Sequence, residues 1–311
     1  MTVIVCPRCD RKHKVNLSRL PAGKSIFARC KACNHRFPVQ VDKLKSREKV
    51  QPDSKRKEGK TRKICVTLSK GGVGKTTTSV NLGAGLALSG FKVLIVDTDT
   101  QGQSAYLLGK KPHAGLTELL TGELTAEETI ISARKNLWLL SGGKSLAGVK
   151  RIIDKKSFGA EWTLSEAMKS IEDNYDYIII DTSPGWDQLT INVLFFATEI
   201  LIPVALEVMP LHGLAEFMKS LNAIQKYRSD IALKYVVPTF MDTRVKNPGK
   251  IFSELKKLYP DHICKPIRYN ENFSTAPSFG KTIYEFAPGG SGAEDYRELV
   301  RKVAMDDHLL L

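Results

Sequence analysis

No apolar run in this 311-residue sequence approaches the roughly 18 residues that a membrane-spanning helix needs, which argues against a helical membrane protein. The N-terminus, MTVIVCPRC, does not set a basic region before an apolar stretch. No signal peptide is therefore expected, and the chain reads as cytoplasmic, where thiols stay reduced. Acidic residues are scarce early in the chain. Residues 1–63 hold 19 Lys and Arg against 5 Asp and Glu, whereas the remainder holds 28 of each. The net charge of +14 thus belongs to the N-terminal segment. Such asymmetry points to a polyanionic partner, nucleic acid before anionic membrane, with a solvated, solubilising tail as the bland reading. Cysteine is sparse beyond residue 40: only Cys65 and Cys264 occur there, most simply as core thiols. A hydrophobic fraction of 42% suits a globular chain, long enough for one large domain plus a small one or for two medium domains.

The other four cysteines fall into two C-x-x-C turns, Cys6-Pro7-Arg8-Cys9 and Cys30-Lys31-Ala32-Cys33. Two such turns at this separation suit a tetrahedral Cys₄ zinc site, each aiming two thiolates at one point. Zinc also explains how residues 1–40 fold with so few core side chains (Val3, Val5, Val15, Leu17, Leu20, Phe27, Phe37, Val39). A redox disulfide would more naturally use one C-x-x-C beside a helix. An iron–sulfur cluster also needs four cysteines, but paired knuckles in a basic, hairpin-like sequence favour Zn²⁺. His13 and His35 then read as surface residues. The stretch resembles a bacterial zinc ribbon that stands before otherwise unrelated domains. Residues 41–62 are polar and charged, include Lys55-Arg56-Lys57, and read as a basic flexible linker.

From residue 63 to 311, apolar runs alternate with amphipathic stretches, the pattern of an α/β protein with a doubly wound, mostly parallel sheet. Strands are expected at 64–68, 92–96, 137–140, 177–181, 200–204 and 232–238. Helices are expected at 79–88, 115–120, 125–133, 162–171 and 211–227. Between the first strand and the first helix lies Lys70-Gly71-Gly72-Val73-Gly74-Lys75-Thr76-Thr77. A glycine-rich turn from a strand into a helix is an anion site, because successive N–H groups and the helix N-terminus face one point. Lys75 can reach the β- and γ-phosphates of a nucleotide, and the Thr76 hydroxyl can ligate Mg²⁺. Ser69 stands where the usual P-loop has its first glycine, and an extra lysine, Lys70, opens the loop.

Two further strands end in acids. The strand at 92–96 runs into Asp97-Thr98-Asp99-Thr100-Gln101-Gly102, where carboxylates lie beside the phosphate loop. The run Tyr177-Ile178-Ile179-Ile180-Asp181 has the Walker B arrangement, an apolar strand whose terminal carboxylate holds Mg²⁺ through water. A second basic surface is open to Lys219, Lys226, Arg228, Lys246 and Lys250.

The loop with its additional lysine resembles the deviant P-loop of the ParA/MinD family of ATPases. The segments Asp97–Gly102, with Thr100 for a proline, and Thr182-Ser183-Pro184-Gly185, with Ser183 for a proline, also resemble that family. So do Thr190-Ile191-Asn192, Thr239–Arg244, Ala276–Lys281 and Gly292–Tyr296. Trp186 and Asp187 depart from it. The C-terminal segments favour ParA over MinD, whose relatives end in a basic amphipathic membrane helix; this chain ends Met305-Asp306-Asp307-His308-Leu309-Leu310-Leu311. The resemblance implies an ATPase that dimerises on ATP with Mg²⁺, binds DNA without sequence preference and releases it when a partner stimulates hydrolysis. It implies that Lys70 reaches across the dimer to the other subunit's nucleotide, that Asp99 acts on the attacking water, and that Asp97 lies near the Mg²⁺ shell. It also implies adenine contacts from the segment holding Met241 and Asp242. The expected role is segregation of DNA or positioning of cargo on the nucleoid, with no membrane partner. A DNA-binding regulator reading DNA through the ribbon, or a metal-cluster assembly ATPase, are the alternatives.

Overall fold

A computed structural model describes residues 2–7, 9, 12–15, 25–40, 60–206, 210–241 and 248–309. Asp242 and Lys246, nearly all of the expected linker, and part of the segment after Thr239 lie outside the described residues. The chain forms two compact units, Met1–Asp53 and Ser54–Leu311.

The first unit has two antiparallel pairs, β1 (Thr2–Val5) with β2 (Lys12–Val15) and β3 (Ser25–Arg29) with β4 (Arg36–Gln40). Cys6 follows β1 and Cys30 follows β3. Both are buried against Phe37 and Val39, so the thiols are this unit's core as much as its apolar side chains are. The turn after Cys30 is closed by Cys30 N–H donating to the His35 carbonyl and Asn34 N–H to the Cys30 carbonyl, with Asn34 left-handed at φ 57°.

The second unit is a seven-stranded sheet: β5 (Arg62–Val66), β6 (Val93–Asp97), β7 (Ile130–Arg134), β8 (Leu137–Leu140), β9 (Tyr177–Asp181), β10 (Glu199–Ala205) and β11 (Ala232–Thr239). The order is β11-β10-β5-β9-β6-β8-β7, parallel throughout except for β7, which runs antiparallel to β8. Period-two alternation sends Cys65, Ile178 and Ile180 into one layer and Ile64, Val66 and Ile179 into the other. Both faces are covered, which is why the central strands carry unbroken apolar runs, with charged residues only at their ends.

The helix Lys75–Leu88 packs closely on the second layer. A Cβ on Gly85 would lie 2.5 Å from Tyr284 Oη and 2.6 Å from Val300 Cγ2, so this position tolerates no side chain without movement. Two expectations fail locally. Residues 125–133 are not one helix: only Ala126–Thr129 is helical, and Ile130–Arg134 becomes the antiparallel edge strand. Residues 162–171 divide into a 3₁₀ turn, Ala160–Trp162, and the short helix Thr163–Met168. A helix not foreseen, Leu146–Asp154, buries Leu146, Val149 and Ile153 against the first layer.

Candidate functional site

The centre of the sheet delivers three segments to one place. β5 leads into the loop that starts the helix Lys75–Leu88, and the neighbouring strands β9 and β6 end in Asp181 and Asp97, which stand opposite each other in register. Gly74, at φ 86°, is the helix N-cap, a backbone conformation that glycine permits at no steric cost. The cavity that results, about 340 Å³, is lined by Gly71, Gly72, Gly74, Lys75, Thr76, Thr77, Asp99, Thr182, Pro184 and Phe240.

Lys75 is buried, and its Nζ donates to the Lys70 carbonyl at 2.7 Å. Burial pulls its pKa down, against Asp181 and Asp99, which hold it up. Lys70 itself is exposed and is not among the lining residues. Val73 turns inward, its carbonyl accepting from Thr239 Oγ1 at 2.9 Å, which fastens the loop to the end of β11.

Asp181 and Asp97 are both fully buried. Burial raises the pKa of each; for Asp181 the neighbouring Asp97 charge adds to it. Hydroxyls partly offset this. Ser79 Oγ donates to Asp181 Oδ1 at 2.9 Å, Ser104 Oγ lies 3.4 Å from Asp181 Oδ2, and the Thr76 hydroxyl also acts to lower the Asp181 pKa. Asp97 accepts from the backbone N–H groups of Asp99 and Ser104. Two buried carboxylates with a threonine hydroxyl form an oxygen donor set that fits a hard divalent cation, whose charge would relieve their mutual repulsion. Asp99 lines the cavity on a tethered loop. Its carbonyl accepts from Gly102 N–H and Gly143 N–H, and its Oδ1 from Gln101 N–H.

Other expected residues are more dispersed. Met241 is half-buried and bridges to Arg268; its neighbour Phe240, left-handed at φ 54°, is the residue that lines the cavity. Lys219 lies on the helix Pro210–Gln225, Lys226 just beyond it, and Lys250 on the helix Pro248–Leu258; all three are exposed. Arg228 is already engaged, with Asp230 at 2.8 and 2.9 Å and the Trp162 ring beneath its guanidinium. Sequence reasoning missed Ser79 and Ser104 at the site and marked Thr182 and Phe240 only through the segments that hold them, without naming either as a site residue; for the two serines little pointed the way. The only signal was position: Ser79 lies four residues after Lys75, one helical turn on, facing the same side.

In the first unit, the Sγ atoms of Cys6, Cys9, Cys30 and Cys33 all lie within 4.8 Å of one another. Cys6–Cys33 and Cys9–Cys30 are each 3.6 Å apart. A zinc tetrathiolate has an S···S edge of about 3.8 Å, so the cluster fits that ion. Among the described residues no helix is long and apolar enough to cross a membrane.

Comparison with known proteins agrees with this geometry. The AAA domain family matches residues 61–234. The sporulation initiation inhibitor protein Soj of Bacillus subtilis is 37% identical over 248 residues, covering 78% of this chain and 97% of that protein. The chromosome-partitioning ATPase Soj of Thermus thermophilus is 33% identical, covering 78% and 96%. Among solved structures, the fold is similar to that of a Cyanothece McdA variant in complex with ATP, with TM-score 0.72, 23% identity, and 81% and 100% of the two chains covered. It is also similar to cobyrinic acid a,c-diamide synthase of Mycobacterium smegmatis with a bound ATP analogue and magnesium, with TM-score 0.68, 26% identity, and 78% and 94% covered. With its lysine-flanked phosphate loop, its paired strand-end carboxylates and these relatives, the chain belongs to the ParA/MinD-type family of P-loop ATPases.

Proposed function

We propose that this chain is an ATP-driven partitioning switch. Two subunits close face to face around ATP, the closed dimer holds DNA without sequence preference, and hydrolysis reopens it. The observation that carries this reading is the gathering of Lys75, Thr76 and Asp99 around one cavity, with the buried Asp97–Asp181 pair at the ends of the adjoining strands. The chromosome-partitioning names of the relatives support DNA as the cargo or track.

In this reading the amides of Gly71, Gly72, Val73, Gly74 and Thr77, with Lys75, hold the phosphates. Thr76 and Asp181, with Asp97 beside them, would hold Mg²⁺, which would supply charge neutralisation for the phosphates. Asp99, on its tethered loop, orients the attacking water. Lys70 stabilises charge on the partner subunit's transferring phosphoryl group, in the manner of an arginine finger. Met241 and Asp242 are assigned to the adenine contact. Lys219, Lys226, Arg228, Lys246 and Lys250 form the ATPase domain's DNA patch, which dimerisation doubles. A Cys₄ ribbon at 1–40 holds Zn²⁺ and is joined by a basic tether, 41–62, to the ATPase domain, 63–311. The protein works in the cytoplasm on the nucleoid, and a second protein accelerates hydrolysis.

Size-exclusion chromatography with light scattering tests the cycle. Wild type should dimerise with ATP and not with ADP, and Asp99→Ala should remain dimeric in ATP. Elution unchanged by ATP in both would overturn the sandwich-dimer reading.

A further inference from the structure

The β3–β4 pair of the first unit has two faces. In the β3–β4 register Ala28 stands opposite Phe37, and Arg29 opposite Arg36. Directly opposed residues share a face, and successive residues alternate. One face therefore carries Ala28, Phe37 and Val39, which pack with Cys6 and Cys30. The other carries Phe27, Arg29, Arg36 and Pro38. On it Phe27 is 62% exposed, and the Arg36 guanidinium carbon lies 5.0 Å from its ring centroid.

Two costs meet on this face. Like charges directly across a strand pair are destabilising, and Arg29 and Arg36 are such a pair. Among the described residues of Met1–Asp53 there is no Asp or Glu to set against them. In addition, a large aromatic ring stays mostly exposed in a unit where, among the described residues, two cysteines, one phenylalanine and one valine form the buried cluster. An acidic peptide without an apolar side chain would neutralise the arginines but leave the ring solvated. A duplex would do the same, because its bases are stacked on one another. An unpaired strand offers phosphates to the guanidiniums and a flat base to the ring at once.

We propose that Phe27, Arg29 and Arg36 form a docking platform for an unpaired nucleic-acid strand. Phe27 stacks on a base, and the two guanidiniums contact the phosphates on either side of it. The platform uses residues of the first unit alone and needs no ATP, so it is separate from nucleotide-driven duplex binding.

Fluorescence anisotropy on the full-length, zinc-loaded protein without nucleotide tests this, using a labelled oligothymidylate and a labelled duplex of equal length. Phe27→Ala should weaken oligothymidylate binding by about 5- to 150-fold, the range expected for one lost base–aromatic stack. Duplex binding should stay within about twofold, whereas a lost phosphate contact would weaken both strands together. Phe27→Tyr, which keeps the ring, should restore oligothymidylate binding. Arg29→Gln should lower the salt slope on the single strand by about 0.7. Zinc content reports that each variant is folded. Should Phe27→Ala lose zinc, Arg29→Gln and Phe27→Tyr still decide the matter, since the first must weaken oligothymidylate binding and the second must not. A wild type that ignores the oligothymidylate, or a Phe27→Ala variant that binds it normally or loses duplex equally, would overturn the platform and leave a protein partner for that face. ATP-dependent dimerisation, measured on the same samples, reports on the ATPase reading independently.

Discussion

Lys75 Nζ donates to the backbone carbonyl of Lys70 at 2.7 Å, so the two lysines of the phosphate loop are joined through a main-chain atom. Replacing the Lys70 side chain leaves that bond in place. Lys70→Ala should therefore keep nucleotide affinity within about threefold, while ATP-dependent dimers or turnover are lost, as for removal of an arginine finger. Lys75→Ala removes both the phosphate contact and the loop's internal tie, and nucleotide binding should disappear. Titration with a fluorescent ATP analogue separates the two variants. Equal loss of binding in both would contradict the division of roles.

The Cys₄ cluster and the two remaining thiols should differ sharply in reactivity. Cys65 and Cys264 are buried, and burial raises both thiol pKa values, that of Cys264 to about 12. One zinc per chain is expected by metal analysis. Chelation should then expose four thiols to a maleimide while two stay silent until denaturant is added. Native protein that contained no zinc and gave four fast thiols would falsify the zinc assignment.

Arg62 ties the start of the sheet to three other segments. Its guanidinium meets Glu199 through two hydrogen bonds, the Tyr235 hydroxyl at 2.8 Å and the Val303 carbonyl. Both charges are mostly buried, at 20% and 12% side-chain exposure, so truncating one strands the other. Arg62→Ala should cost about 2–4 kcal/mol in urea unfolding, somewhat below the range for a fully buried pair. A loss under about 1 kcal/mol would mean that water or a neighbouring side chain already compensates.

Acid should release one particular clasp. Burial acts to raise the Glu285 pKa, but hydrogen bonds from Arg134 and from the Thr282 backbone and hydroxyl outweigh it and hold it below the usual value. A carboxylate depressed in the folded state stabilises above its unfolded pKa, near about 4.3, and loses that contribution as pH falls through the folded value. The stability gap between wild type and Glu285→Gln should therefore be full at neutral pH and shrink below about pH 4. A gap that is constant with pH would show that Glu285 acts through shape rather than charge.

Much of the ATPase fold was legible because its central strands are buried on both faces and so read as unbroken apolar runs ending in Asp97 and Asp181. The phosphate loop was legible because its glycines and lysines are contiguous. Long-range pairing was not. Ile130 and Ile131 fit a helical pattern in isolation, but they pair with Leu140 and Leu139 across the sheet edge, and that pairing prevails over local preference. The hydroxyls of Ser79 and Ser104 on Asp181 left little trace beyond the place of Ser79 one turn after Lys75, because serine occurs throughout loops and helices and its partner is distant in sequence. Nor could the left-handed backbone of Phe240 be foreseen at a residue type that avoids it.

The strand order has a kinetic consequence. β5 is flanked by β10 and β9, and β9 by β5 and β6, so neither strand that feeds the phosphate loop and Asp181 has a free side. β7 ends the sheet at one margin, while at the other β11 is stitched by backbone hydrogen bonds to His262, Cys264 and Ile267. Margins can fray by sub-global opening, but the amides of β5 and β9 are released only when the whole unit unfolds. In deuterium exchange they should be the last to label. The catalytic scaffold then persists through every partial opening, and such openings act on the periphery, where Arg134 and Glu285 also meet.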